Sequence, residues 1–315
     1  MRFKKITAVL IAVLIIVLSL SGCSRESYAL KIDGNNIDAE IYGYYLSVAQ
    51  NDPLYKDEKD KSAVTASLCA EYVAGHKLIG EYGAALSAEE KVAAASQVKG
   101  MWQEFSGFYK RYSVSKQTLS EIVEYDKLID SLTVKLYGVG GEKAVGNENI
   151  EKYFYSNYVA VKIISADFKD DSGEAFNQEQ VDEITEKFTD MRNLIKGGAD
   201  MQSAAEKLLD VADYDDKIVV IRSDDSSYPD GMFSKILGLT AGSVQVFRYE
   251  RGIYLIQKFD MSEDTASYFD LYKNECLISM KKEETKNEIS AIAQKYKLLY
   301  NDKVMSKIES SADVK

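Results

Sequence analysis

The segment "GVGGEKAVGNEN", residues 138–149, divides the chain into two parts that follow different folding rules. Before it, apolar residues recur at helical spacing almost without interruption. Ile41, Tyr44, Tyr45 and Val48 share one face, and Val64, Leu68, Leu78 and Ile79 another. "LSAEEK" opens a further helix with Ser87 as N-cap and Glu90 three residues on, the pattern of a capping box. "SVSKQTLSEIVEYDKLIDSLTVKLYG" continues the helical pattern to the break. Gly138, Gly140 and Gly141 do not form a phosphate loop, because no Lys-Ser/Thr pair follows and no strand precedes them; a hinge or linker is expected.

After the break, short strands and helices alternate. "VAVKIISADF" (159–168) reads as a buried strand that carries Lys162 in its middle, a residue type rarely buried without a partner. Gln178–Ile195 is an amphipathic helix ended by Gly197-Gly198, "KIVVIR" is a strand, and "VQVFRYERGIYLIQKFD" is an antiparallel hairpin turning at Glu250-Arg251-Gly252. Residues 265–308 are then expected as one long helical stretch, with Ile289, Ile292, Tyr296 and Leu299 as its apolar stripe. A stripe of that kind needs a partner, and the N-terminal helices supply one. The α+β unit is therefore expected as an insertion within one helical domain. The fold class is α+β, largely helical at both ends, with boundaries at 1–22, 23–148, 149–264 and 265–315.

Charge and composition narrow the function. The 315 residues carry a net charge of −11. Without the segment 1–22 and its Arg2, Lys4 and Lys5, 36 Lys+Arg face 50 Asp+Glu, a net charge of −14. Such an acidic body argues against nucleic acid and against electrostatic adhesion to anionic lipid. The single histidine, His76, rules out a multi-histidine metal site and leaves a Ser-His-Asp arrangement no base other than itself. Cys69 and Cys276 sit among apolar neighbours in helical sequence; they either pair or, the simpler reading, pack as small hydrophobes. Acidic loops such as "DDSSYPDG" lack the order of a calcium loop. No cofactor or metal is expected.

At the N-terminus, Arg2, Lys4 and Lys5 precede an apolar run from Ile6 to Leu20, short for a membrane span. Leu20-Ser21-Gly22-Cys23 resembles a bacterial lipobox, which implies cleavage before Cys23 and lipid on its thiol. The chain would then be extracytoplasmic, anchored to the cell membrane or to an outer membrane where one exists.

The lipobox, the strand-turn-helix "ALKIDGNNIDAEIYGYYL", the helical first half, the α+β insert and the C-terminal helix together resemble the PrsA/SurA-type extracytoplasmic foldases, which carry a parvulin-type prolyl isomerase domain. "LIKGGADMQSAAEKL" and "LTAGSV" followed by "RGIYLIQKFD" match segments of that domain. The resemblance implies a chaperone for unfolded exported polypeptides, with a dimer possible. It assigns Lys162 and Tyr254 to the two positions held by histidines in parvulins, Asp216 to the acidic position, and Tyr228, Met232 and Phe233 to the proline pocket. With both histidines replaced, weak or absent isomerase activity is expected. Lys162 either meets the Tyr254 hydroxyl across adjoining strands or extends its ammonium to the groove edge. Two alternatives stand beside the chaperone: an active isomerase with rearranged chemistry, and a scaffolding lipoprotein that docks one folded partner.

Overall fold

The computed structural model describes residues 28–206, 213–214, 216–262 and 265–312, with only the backbone for 213–214 and 265–267. The lipobox and Cys23 lie outside the described residues. The chain divides into two compact units, one formed by residues 1–144 with 281–315 and the other by 145–280.

In the first unit, β1 (Tyr28–Ile32) turns through Asp33-Gly34 into β2 (Asn35–Asp38) and then α1 (Ala39–Asn51). Asp38 ends the strand and starts the helix, because its carboxylate accepts from the Glu40 and Ile41 amides at 2.9 and 2.8 Å. Helices α2 (Lys61–Tyr82), α3 (Ala88–Arg111) and α4 (Lys116–Tyr137) follow. Gly83 closes α2 at φ +61°, a backbone region in which a side chain is strained. The capping box at Ser87 forms as expected, with the Glu90 amide donating to Ser87 Oγ at 3.1 Å and the Ser87 amide to Glu90 Oε2 at 2.7 Å.

The C-terminal stretch departs from the expected single helix. Helix α9 (Thr265–Ala293) stops, β8 (Leu298–Tyr300) pairs antiparallel with β1, and α10 (Asp302–Ala312) follows. The register sets Leu30 against Tyr300 and Ile32 against Leu298, and the Asp33 amide donates to Lys297 O at 3.0 Å. The β1 edge presents backbone groups that require partners, and this ladder satisfies them. Leu299 accordingly leaves the apolar stripe and is 50 % exposed, whereas Ile289 remains buried at 3 %.

The end of α9 closes against α4 through a polar seam. Thr133 and Thr285, both fully buried, hydrogen bond through their hydroxyls at 3.0 Å. Lys282 reaches Asp130 at 2.8 Å and Asp126 at 3.5 Å, and the Tyr137 hydroxyl donates to Glu288 at 2.8 Å. Burial opposes the charge on Lys282, but its hydrogen bond to Asp130 and the two nearby carboxylates outweigh that and raise its pKa. Cys69 and Cys276 are both buried free thiols, so the simpler reading of the pair holds.

The second unit contains α5 (Asn147–Asn157), β3 (Tyr158–Asp167), α6 (Gln178–Lys196), α7 (Met201–Ala205), β4 (Asp213–Tyr214), β5 (Val219–Arg222), α8 (Met232–Leu237), β6 (Val244–Arg248) and β7 (Gly252–Phe259). Its sheet runs β4-β3-β7-β6, with β5 also paired to β3, and every pairing is antiparallel. Along β3, side chains alternate between two faces. Ile164, Ala166 and Phe168 pack with α6 and α7 residues such as Phe188, Met191 and Met201, whereas Val159 and Val161 pack with Met232 and Ile236 of α8. The first turns of α9 belong to this unit, where Phe269 and Tyr272 meet Phe154. Arg222 binds Glu275 at 2.5 Å.

The threonine pair provides a test of the seam. Each hydroxyl also bonds a carbonyl of its own helix, Ile129 O and Lys281 O. Thr133→Val alone is expected to cost about 1 kcal/mol. In a urea-denaturation double-mutant cycle with Thr285→Val, a coupling of about 0.5–1.5 kcal/mol is expected; additivity within about 0.3 kcal/mol would contradict the seam.

Candidate functional site

The β3–β7 register decides which side chains share a face. Lys162 pairs with Gln257, Ile163 with Ile256, and Ser165 with Tyr254. The strands adjoin, but Lys162 and Tyr254 have opposite parity in the ladder and project from opposite faces of the sheet. Of the two arrangements open to Lys162, the contact with the Tyr254 hydroxyl therefore does not form. Lys162 instead meets Asp216 at 2.6 Å, each of them partly exposed. This accounts for a lysine in an otherwise apolar strand: it neighbours Gln257 and holds a carboxylate.

The face that carries Tyr254 is aromatic. Phe247 lies directly opposite Tyr254 in the ladder, and Ile163 is diagonal to it beside Ile256. The Tyr249 ring meets the Tyr254 ring edge-on at 5.8 Å. Tyr228, from the loop before α8, and Phe233, from α8 itself, join the same cluster, and all six side chains are half-buried over a floor of Val161, Met232 and Ile256. Gly231 at φ +74° turns the chain into α8, and Pro229 O accepts the Met232 amide at 3.0 Å. Met232 is fully buried, so it supports the cluster from below, while Tyr228 and Phe233 are half-buried in it.

The electrostatics of this face are those of neutral hydroxyls. Burial raises the pKa of Tyr254, and the charge of Asp167 and neighbouring Tyr249 add to the effect. Burial followed by Asp225 raises Tyr228, and burial raises Tyr249. His76 is far off in sequence, on α2 of the first unit, where its ring lies 4.4 Å from Tyr72 and 4.9 Å from Tyr125. The second unit thus contains no imidazole. At the rim, the Lys235 ammonium stands over the Tyr249 ring at 4.7 Å and over the Phe247 ring at 5.7 Å.

Sequence reading located Tyr228, Phe233 and Tyr254 but missed Phe247, Tyr249 and Lys235. Once the hairpin is counted back from its turn, Phe247 faces Tyr254, and α8 carries Lys235 two residues after Phe233. Ile163 was passed over because it adjoins Ile164, and two consecutive isoleucines conceal the alternation. Among the described residues, no helix is long and apolar enough to cross a membrane, and no three His, Cys, Asp or Glu side chains converge as metal ligands.

No family model and no curated protein matches the chain. Among solved structures, the foldase PrsA of Streptococcus pneumoniae is similar at 17 % identity, covering 86 % of this chain and 89 % of that one with a TM-score of 0.42. PrsA of Lactococcus lactis is similar at 12 % identity, covering 90 % and 98 %, with a TM-score of 0.41. PrsA of Bacillus subtilis is similar at 17 % identity, covering 83 % and 88 %, with a TM-score of 0.35.

Proposed function

We propose that this chain is a lipid-anchored extracytoplasmic chaperone of the foldase type that binds unfolded exported polypeptides, with the aromatic face of the second unit as a contact surface. The half-buried ring cluster of Tyr228, Phe233, Phe247, Tyr249 and Tyr254 carries this reading. Aromatic rings contribute large apolar area, and tyrosine adds a hydroxyl that serves varied backbone partners. The sequence pattern from the lipobox to the C-terminal helix supports an exported, tethered protein.

The same face argues against efficient prolyl isomerisation. The reaction must cross a barrier of about 18–20 kcal/mol, and catalysis requires groups that bind the twisted amide more tightly than the planar one. Beside Tyr254 on this face the diagonal neighbour is the apolar Ile163, and Lys162 and Asp216 engage each other from the opposite side of the strand. The hydroxyls of Tyr228, Tyr249 and Tyr254 favour the alternative reading of a rearranged isomerase.

Four outcomes test the proposal. The purified chain should slow aggregation of a denatured client, and Tyr254→Ala and Phe233→Ala should each weaken client binding about tenfold, since an aromatic anchor typically carries more than about 1 kcal/mol. No effect of the chain on aggregation would count against a chaperone. In a prolyl-peptide assay the chain should accelerate relaxation no more than about threefold over the spontaneous rate, which takes tens to hundreds of seconds. Client binding should be flat between about pH 6 and 9, because the groove hydroxyls titrate above the ordinary tyrosine value of 10.0. Ordinary parvulin rates that fall on Tyr254→Phe would establish the isomerase.

A further inference from the structure

Two polar groups at the edge of the aromatic cluster have no oxygen partner among the described residues. Lys235 is exposed, its ammonium lies over the faces of Tyr249 and Phe247, and among the described residues no carboxylate pairs with it. The Tyr249 hydroxyl oxygen is shielded from solvent and has no hydrogen-bond partner among the described residues. A buried donor left unsatisfied costs about 1–3 kcal/mol, so an acceptor that reaches it when the covering side chains shift is favoured. Both groups ask for the same chemistry: an oxygen acceptor, best one with negative charge, because a charged acceptor forms the stronger hydrogen bond.

The rest of the groove sets the direction. The Tyr228 hydroxyl feels the negative charge of Asp225, and the Tyr254 hydroxyl that of Asp167. Acidic groups therefore border Tyr228 and Tyr254, while the cation stands beside Tyr249 and Phe247. Building on the proposed peptide-binding role of this face, we infer that Lys235 and Tyr249 form an acidic-residue subsite. The groove prefers segments in which an Asp or Glu adjoins the aromatic or apolar residue that enters it. Lys235 is a specificity-determining residue that leaves the aromatic grip to the rings. The chain's net charge of −11 opposes acidic segments at long range, so the preference is local. At physiological salt the Debye length is about 8 Å, which confines it to direct neighbours of the rim.

The test uses the purified full chain and three fluorescein-labelled ten-residue peptides that share one Phe-Pro core and carry Glu, Gln or Lys beside the Phe. At low salt the Glu peptide should bind about threefold more tightly than the Gln peptide, and the Lys peptide more weakly than both, a size typical of one exposed ion pair. The spread should shrink in 0.5 M salt. Lys235→Glu should reverse the order, and Tyr249→Phe should narrow the ratio of Glu to Gln affinities. Equal binding of the three peptides by the native chain, or an order unchanged in Lys235→Glu, overturns the acidic subsite while leaving the groove intact. Failure of all three peptides to bind, or affinities indifferent to Tyr254→Ala, overturns the groove reading and this inference with it.

Discussion

The pairing of Ile163 with Ile256 in the β3–β7 ladder is the constraint on which the second unit depends. It sends Ile164 and Ala166 to the helices α6 and α7, and Val159 and Val161 to α8. A slip of β3 by one residue would exchange its side chains between the faces, placing Lys162 beneath α8 and turning Val161 and Ile163 toward α6. Both faces of β3 are covered by helices, so burial on either side resists the slip. The same register brings Tyr254, Phe247 and Tyr249 together with Phe233 and Tyr228 and takes Lys162 away from them. The functional reading is therefore a consequence of strand parity.

The first unit depends on a different closure. Its sheet is completed by β8, more than 260 residues after β1, and its helical core by the end of α9. The two contributions enter by different physics. β8 satisfies backbone groups on the β1 edge, whereas α9 joins α4 through hydroxyl and charge contacts, with Thr133 and Thr285 fully buried. A buried polar pair adds little net stability when complete, but it penalises any arrangement of the helices that leaves one member alone.

Much of this was legible in the sequence because the signals were local. The Ser87–Glu90 capping box, the glycine break after Tyr137 and the hairpin turn at Glu250-Arg251-Gly252 each state their geometry within a few residues. The failures were non-local. Leu298-Leu299-Tyr300 is compatible with a helix by spacing, and only the distant open edge of β1 makes it a strand. The resemblance set Lys162 beside Tyr254, but that they lie on opposite faces of the sheet is fixed by the β3–β7 register, which the apolar neighbours Val161, Ile163 and Ile164 do not reveal. A strand buried on both faces has no polar alternation from which to count. Tyr249 and Lys235 carried no motif; their significance comes from lying across a ring pair that only the folded hairpin and α8 create.

The most direct test is a map of which face of this sheet a client contacts. Titration of the isotopically labelled chain with an unfolded aromatic-rich peptide, followed by amide and side-chain chemical shifts, provides it. The account predicts perturbations concentrated at Ile163, Phe233, Phe247, Tyr249 and Tyr254, with Lys162, Gln257 and Ile164 unchanged. Perturbations centred on Lys162 and Gln257, or confined to the first unit, would contradict it.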